Sequence, residues 1–301
     1  MYKFDRREFL RVGGAGAVIA VTPGLIPACS RQVAMTSPST IKVQAGGGYF
    51  ASNFGIDEDV IRRTLKRALE RGGDYADIYC QHKLSDYVGF EDGQVNQAYA
   101  QVDLGAGIRV LKGDQTGYAY TEDLTIESLL AAADTAASIA AGGPTIGIKD
   151  FAPVEVPSLY ERKQIWIEIP PTKKIGLAEE VGAKVLAGDP SVAKASVFTV
   201  SEDEAFLVAN SEGNLVEDMR PMTIIYVTCV AEKNNRKETN RYRLASREGI
   251  DFYAGNKVDS IAAEAVSRTM FLFDAASPPA GEMPVVLAPA TSGILLHEAI
   301  G

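Results

Sequence analysis

Cysteine and histidine are both scarce in this sequence. Its 301 residues include three cysteines and two histidines. Cys29, Cys80 and Cys229 are too few and too widely spaced for a disulfide framework, and none belongs to a CxxC metal-binding pair. Cys80 and Cys229 lie in apolar, strand-like segments, which predicts buried and unreactive thiols. Any chemistry that depends on imidazole must therefore use His82 or His297.

A basic excess is also missing. The chain carries 30 lysine and arginine residues against 39 aspartate and glutamate residues, for a formal net charge of −9. Binding to a phosphate backbone needs a positively charged footprint, so we expect no nucleic-acid partner. A hydrophobic content of 46% and a charged content of 23% are typical of a globular protein, and the length suits roughly two domains.

The apolar stretch near the amino terminus, Val12 to Ile26, is too short and too rich in glycine for a stable membrane span. It follows a charged segment and ends in small residues, which predicts a signal peptide over residues 1–29. Four residues match the RRxFL pattern of the twin-arginine export signal: Arg6, Arg7, Phe9 and Leu10. We therefore expect export by the twin-arginine route to a periplasmic or other extracytoplasmic location. The alternative, a basic amphipathic helix that begins a cytosolic protein, is disfavoured by the glycines and prolines of this segment.

The end of the predicted signal peptide loosely resembles a lipobox, in which Cys29 would become the acylated first residue. Pro27 before the small residue fits that pattern poorly, so lipid attachment at Cys29 stays open. Membrane contact is expected only through the signal peptide or such a lipid anchor. Residues 30–56, which are rich in serine, threonine and glycine, are predicted to form a flexible tether.

Residues 57–150 are predicted to form a first α+β unit. DEDVIRRTLKRALERGGD has the apolar spacing of an amphipathic helix, with Asp57 near its N-cap. Short β-type segments follow, and Asp92-Gly93 between two of them predicts a hairpin turn. An alanine-rich helix from Thr125 to Ala141 closes the unit.

Residues 151–281 repeat this helix and strand composition in a second, central α+β unit. Residues 282–301 then begin a third domain with PVVLAP, predicted as a short buried strand, and a helix from about Ser292. The predicted fold class is α+β. It consists of two consecutive α/β units with largely antiparallel sheets, followed by the first strand and helix of a truncated third domain.

The helix of this third segment carries His297 next to Glu298. A neutral imidazole is a common zinc ligand, and an adjacent carboxylate can handle the proton of a metal-bound water. Ile294, Leu295 and Leu296 precede the pair and predict a buried approach to it. The other histidine, His82, lies beside a lysine in a strand-to-turn region and is expected at the surface rather than at a metal. No serine has the GxSxG context of a hydrolase nucleophile.

Three stretches together resemble the TldD/PmbA family of metalloproteases, the modulators of DNA gyrase: DYADIYCQ, VDLGAGIRVLKGDQTGYAYTEDL and PVVLAPATSGILLHEAIG. The resemblance implies a TldD-like subunit whose motif continues as HExxxH, with a further cysteine ligand downstream. It implies zinc as the cofactor, His297 as one metal ligand and Glu298 as the general base. Short or unfolded peptides are the implied substrates, and a related TldE/PmbA-like subunit is the implied partner.

Helix geometry explains why a glycine is useful in such a motif. Two residues four apart on a helix lie about 40° apart around the axis, whereas two residues five apart lie about 140° apart. A straight helix would therefore separate the two imidazoles of HExxxH. Gly301, immediately before the expected second ligand, can let the helix unwind or kink there.

The same resemblance implies that these 301 residues are the amino-terminal portion of a family member and stop inside the motif. We therefore expect the portion by itself to be inactive, to bind zinc weakly if at all, and to expose the apolar side chains of PVVLAP and ILL. The alternative is a non-catalytic PmbA/TldE-like subunit or a peptide-binding module of a proteolytic complex. His297 and Glu298 argue against that alternative.

Overall fold

The computed structural model describes residues 48–153, 165–289 and 291–300. Its strands are β1 (Tyr75–Glu91), β2 (Gln94–Lys112), β3 (Gln115–Thr121), β4 (Ala152–Pro153), β5 (Val192–Asn210), β6 (Asn214–Lys233) and β7 (Arg236–Ser246). Its α-helices are α1 (Tyr49–Phe54), α2 (Glu58–Leu69), α3 (Ile126–Ile139), α4 (Pro171–Ala187), α5 (Asn256–Met270) and α6 (Thr291–Ile300). Short 3₁₀ segments cover Trp166–Glu168, Ile250–Tyr253 and Phe271–Asp274.

One sheet contains all seven strands of the described residues, in the order β3-β2-β1-β5-β6, with β7 and the two-residue β4 both on β6. Every pairing is antiparallel except that between β4 and β6. The predicted α+β class with largely antiparallel strands is confirmed. The sequence did not show that the strands of the two units join, which they do because β1 pairs with β5 along Asp77–Glu91 and Ser196–Asn210.

Helix α2 shows how local sequence determines the first unit. The Asp57 side chain accepts a hydrogen bond from the backbone N–H of Val60 at 3.0 Å and so caps the helix. Four apolar residues on one face of this helix are fully buried: Ile61, Leu65, Ala68 and Leu69.

Helix α3 approaches the sheet closely at Gly117, where a Cβ atom would lie 2.0 Å from the Ala136 carbonyl oxygen. Only glycine allows the helix and strand to pack at this distance.

The second unit has its own apolar core, in which α4 and α5 cover the other end of the same sheet face. Its members include Trp166, Val197, Val227, Tyr253 and Ile261. Alternation along β5 explains this layer, because every odd-numbered residue from 195 to 209 is buried. This face is apolar at both ends of the run, at Ala195 and Val197 and from Ala205 to Ala209. Between them it carries three buried polar residues: Thr199, Ser201 and Asp203.

The two long hairpins overlap end to end. The tip of the β1–β2 hairpin reaches the second core, where Phe90 packs against it and the Glu91 carboxylate accepts a hydrogen bond from Ser196 at 2.5 Å. The tip of the β5–β6 hairpin reaches the first unit, where the Ser211 hydroxyl accepts a hydrogen bond from the Ala76 N–H at 3.1 Å. The tip of each hairpin therefore packs against the unit to which the other hairpin belongs.

The predicted flexible tether over residues 30–56 is wrong for its last part. Residues 49–54 form α1, in which Tyr49 and Phe50 are buried. The Phe50 N–H donates to Glu217 Oε1 at 2.7 Å, which attaches this helix to β6. The sequence rule failed because the glycines and serines upstream dominate the composition, whereas the aromatic residues at 49–54 provide the packing surface.

The predicted strand PVVLAP is also wrong. Residues 282–288 have no regular secondary structure, and Val285, Val286 and Leu287 are exposed. An apolar strand needs a neighbouring strand for its backbone hydrogen bonds, and the described residues offer none there. The expected exposure of this stretch and of Ile294, Leu295 and Leu296 is observed.

Candidate metal centre

Helix α6 carries both residues of the predicted metal site. It spans Thr291–Ile300, so the helix expected from about Ser292 is confirmed, and His297 lies in its last turn. His297 and Glu298 are exposed. The predicted buried approach is not observed, because Ile294, Leu295 and Leu296 are each more than half exposed. Nothing in the described residues packs over this side of the helix.

The donor set on the described residues suits zinc in kind but is incomplete. Catalytic zinc sites use three protein ligands and keep one open position. Among residues 48–153, 165–289 and 291–300, no group of three histidine, cysteine, aspartate or glutamate side chains is placed to hold a metal ion. His297 offers one imidazole, and the adjacent Glu298 offers a carboxylate about 100° further around the helix. A zinc centre would need ligands beyond these residues.

His82 is half-buried rather than fully exposed at the surface, and it belongs to no group of possible metal ligands among the described residues. It lies in the middle of β1, stacks on Tyr49 and meets the edge of Phe54. Its Nδ1 atom hydrogen-bonds the Tyr49 hydroxyl at 2.6 Å. Burial lowers the pKa of His82, so the neutral imidazole is favoured. Its role is to hold α1 on the sheet, and the prediction missed this because α1 itself was not expected.

The two described cysteines behave as predicted. Cys80 and Cys229 are both buried and unpaired with each other. Burial, with a smaller contribution from the charge of Glu217, raises the pKa of Cys80 to about 12. Burial also raises the pKa of Cys229. Neither thiol ionises near neutral pH, so neither is a nucleophile here. The other predicted site residues, Arg6, Arg7, Phe9, Leu10 and Cys29, lie outside the described residues.

A buried ion pair between the two units was missed. Lys174 Nζ of α4 lies 2.5 Å from Asp86 Oδ2 of β1 and 5.9 Å from the centre of the Trp166 ring. Burial raises the pKa of Asp86, and the Lys174 ammonium opposes that rise. The sequence did contain a signal for this pair. Lys174 falls on the same helical stripe as the buried residues Ala178, Val181 and Val185.

No helix among the described residues is long and apolar enough to cross a lipid bilayer.

Two family models match successive parts of the chain. The PmbA/TldA metallopeptidase domain 1 matches residues 76–140, and the PmbA/TldA metallopeptidase central domain matches residues 165–270. Together they cover more than half of the sequence. The chain belongs to the TldD/PmbA metallopeptidase family.

Curated relatives within the family have names that state the activity. A metalloprotease TldD homolog of Haemophilus influenzae is 31% identical over 239 residues, which are 77% of this chain and 49% of that protein. A zinc metalloprotease TldD homolog of Saccharolobus solfataricus is 25% identical and covers 79% of this chain and 52% of that protein. The chain therefore spans about half the length of the curated relatives it matches.

Solved structures of the family share the fold. A protein of Thermotoga maritima described as a modulator of a DNA gyrase has a TM-score of 0.56 at 15% identity, over 74% of this chain and 50% of that chain. TldE of Thermococcus kodakarensis has a TM-score of 0.51 at 18% identity, over 71% of this chain and 47% of that chain. At these identities the similarity concerns the fold alone.

Proposed function

We propose that this chain is the amino-terminal portion of a TldD-like zinc metallopeptidase that hydrolyses short or unfolded peptides. One observation carries the proposal: a family member bears His297 and Glu298 side by side on the exposed end of α6. The names of the Haemophilus and Saccharolobus relatives support metal-dependent proteolysis. The portion by itself is proposed to be inactive, because one imidazole cannot complete a zinc site.

In the complete protein, His297 would provide one ligand through a neutral ring nitrogen. Zinc, when bound, supplies a Lewis acid that polarises a peptide carbonyl and acidifies water. Glu298 would accept the proton of the attacking water and deliver it to the leaving nitrogen as the peptide bond breaks. Its exposed position on the helix leaves the carboxylate free to reach a substrate.

The first experiment is to read the coding sequence beyond Gly301 and to express the longest open frame. We expect a second histidine at the next position, one zinc per chain by elemental analysis, and cleavage of a denatured protein substrate. Glu298→Gln should abolish cleavage while zinc remains bound, and His297→Ala should reduce zinc binding. A protein with neither zinc nor cleavage would instead support the alternative, a non-catalytic subunit or peptide-binding module.

We further propose that the partner is a TldE/PmbA-like subunit. The fold shared with TldE of Thermococcus kodakarensis supports this assignment. Co-expression with a TldE-like protein from the same genome, followed by affinity purification of one subunit, would test it. Recovery of both subunits in equal amounts is expected, and a homodimer that excludes the second subunit would contradict it.

Export is a separate proposal, supported by Arg6 and Arg7 in the RRxFL pattern. Residues 1–29 fused to a fluorescent reporter should reach the periplasm of a bacterium that has the twin-arginine pathway. Replacing both arginines by lysine keeps the charge but should retain the reporter in the cytoplasm. Export that is unaffected by this change would contradict the assignment. Radioactive palmitate labelling of the native segment, compared with Cys29→Ser, would decide whether Cys29 is lipidated.

A further inference from the structure

Strand β2 has a long free edge. It contains 19 residues, but β3 pairs only with its last seven, Ala106–Lys112, so the part before Ala106 has no β3 partner. From Gln94 to Gly105, no strand of the described residues lies on its outer side. Alternate residues of a strand direct their N–H and C=O groups to each side, so about half of these backbone groups face outward. Every residue from Gln94 to Val102 is exposed.

The usual protection of a sheet edge is missing from Ala98 to Val102. Natural edge strands are blocked by lysine, proline or bulges. The segment QVNQAYAQV at 94–102 contains neither a charged residue nor a proline. The register shift between β1 and β2 lies at Gly89 and Phe90, next to the hairpin turn, so the pairing from Ala98 onward is regular. This edge can accept an added strand in line with β3.

A pocket lies where such a strand would meet β3. We call it the tyrosine trough, with Tyr79, Tyr118 and Tyr120 as its walls and Gly105 and Gly107 as its floor. Its volume is about 560 Å³. Gly107 lies directly between Tyr79 of β1 and Tyr120 of β3 in the register of the sheet. A Cβ atom at Gly107 would lie 2.6 Å from the Tyr118 hydroxyl, so glycine keeps the trough open.

The charge of the trough indicates what it binds. Asp103 and Glu122 are among its lining residues, which include no lysine or arginine. Lys83 approaches Asp103 at 3.4 Å, whereas Glu122 has no ion-pair partner within the described residues. Tyrosine faces next to carboxylates attract a guanidinium or ammonium group. A second copy of the chain would not supply one, because the 94–105 edge contains no basic residue.

We propose that the free edge of β2 binds an extended polypeptide by strand addition, and that the tyrosine trough takes an arginine or lysine side chain of that peptide. The backbone hydrogen bonds provide affinity for any sequence, and the trough selects for a basic residue. The proposal rests on the proposed function only in having a polypeptide as the ligand. It requires neither zinc nor His297.

The test measures binding of the peptide Thr-Val-Thr-Arg-Thr-Val-Thr-amide, with fluorescein on its amino terminus, to the 301-residue chain by fluorescence anisotropy. Saturable binding that weakens with salt is expected, and a peptide with glutamate in place of arginine should bind at least about tenfold more weakly. Two N-methylated isomers, modified at the odd or at the even residues, test the backbone pairing. One isomer should lose binding and the other should keep it, because only alternate N–H groups face β2.

Protein variants locate the site. Tyr120→Ala should weaken binding about three- to tenfold, the range of a cation–π contact. Phe271→Ala is the matched control, since both side chains are 71% exposed, and it should leave binding unchanged. Glu122→Gln should also weaken binding and reduce its salt dependence.

Several outcomes would overturn the proposal. The first is that the peptide does not bind at millimolar concentration. The second is that the two N-methylated isomers behave alike, so that both bind or both fail to bind. The third is that Tyr120→Ala and Phe271→Ala change the affinity for the peptide equally. Analytical ultracentrifugation of the chain without peptide tests whether a second copy of the chain occupies the edge instead. A dimer that Tyr99→Lys dissociates would make the edge a contact between copies. His297→Ala separates this proposal from the metallopeptidase, because it should leave peptide binding unchanged whatever it does to zinc.

Discussion

The ion pair between Lys174 and Asp86 connects the two units and gives the sharpest test of the fold. The side chains are only 5% and 15% exposed. Lys174→Met keeps most of the aliphatic stem of the lysine but removes its ammonium group. The Asp86 carboxylate would then remain buried beneath α4 without its cation. Breaking a buried pair from one side costs about 3–5 kcal/mol, a large fraction of the 5–15 kcal/mol that stabilises a typical domain.

The loss should be visible as a fall of roughly 6–20 °C in the melting temperature. Its pH dependence follows from the pKa of Asp86, which burial raises even with Lys174 present. An acid with a raised pKa in the folded state stabilises that state below its unfolded pKa, and this contribution is lost as the pH rises through the folded value. Without Lys174 the pKa rises further. The variant should therefore lose most stability at pH 7 and less as the pH falls towards the carboxyl range.

Urea denaturation followed by circular dichroism at pH 7 and pH 5 measures both effects. The double variant Lys174→Met with Asp86→Leu should recover most of the stability, because an apolar pair needs no desolvated charge. Lys194→Met is the matched control. Its ion pair with Glu91 is much more exposed and should contribute no more than about 1 kcal/mol. A loss below about 1 kcal/mol for Lys174→Met, or a loss that does not change with pH, would refute the reasoning.

Two further predictions concern packing and titration. Gly117→Ala should lower the free energy of unfolding by about 1–3 kcal/mol or more, because its Cβ would overlap a carbonyl oxygen of α3. Gly147 has open space around it, so Gly147→Ala should change the free energy of unfolding by no more than about 0.5 kcal/mol in the same denaturation assay. Burial lowers the pKa of His82, so its contribution to stability is present above the unfolded pKa and is lost as the pH falls below about 6.5. Melting temperatures measured between pH 7 and pH 5 test this: the His82→Gln variant should lose less stability over that range than the parent protein. The same pH dependence in both proteins would contradict the assignment.

Local sequence signals were sufficient for several elements. The cap at Asp57 and the apolar stripe behind it predicted α2 correctly, because both depend on neighbours within one or two helical turns. Asp92-Gly93 predicted the β1–β2 hairpin, and both residues have the positive φ angles that such a turn requires. The buried cysteines were predicted for a similar reason, since the apolar strands around them need a covered face.

The candidate site was predicted only as far as one helix extends. His297 and Glu298 are adjacent in the chain, so their proximity needs no tertiary structure. The remaining ligands of a zinc centre would come from residues distant in sequence or beyond those described, and no local pattern specifies them. Lys174 and Asp86 show the same limit, because 88 residues separate two side chains that meet across the sheet.

The sequence by itself determined the α+β composition, the position of α2, the start of α6, the hairpin turn at Asp92-Gly93 and the family to which the chain belongs. These features depend on periodicity, capping and short motifs, which act over a few residues. Only the tertiary structure decided that β1 pairs with β5, that α1 is attached through His82 and Glu217, and that no strand of the described residues covers β2 from Gln94 to Gly105. Strand pairing depends on which distant segments bury apolar surface together, and many registers satisfy the same local alternation. The packed core selects one of them.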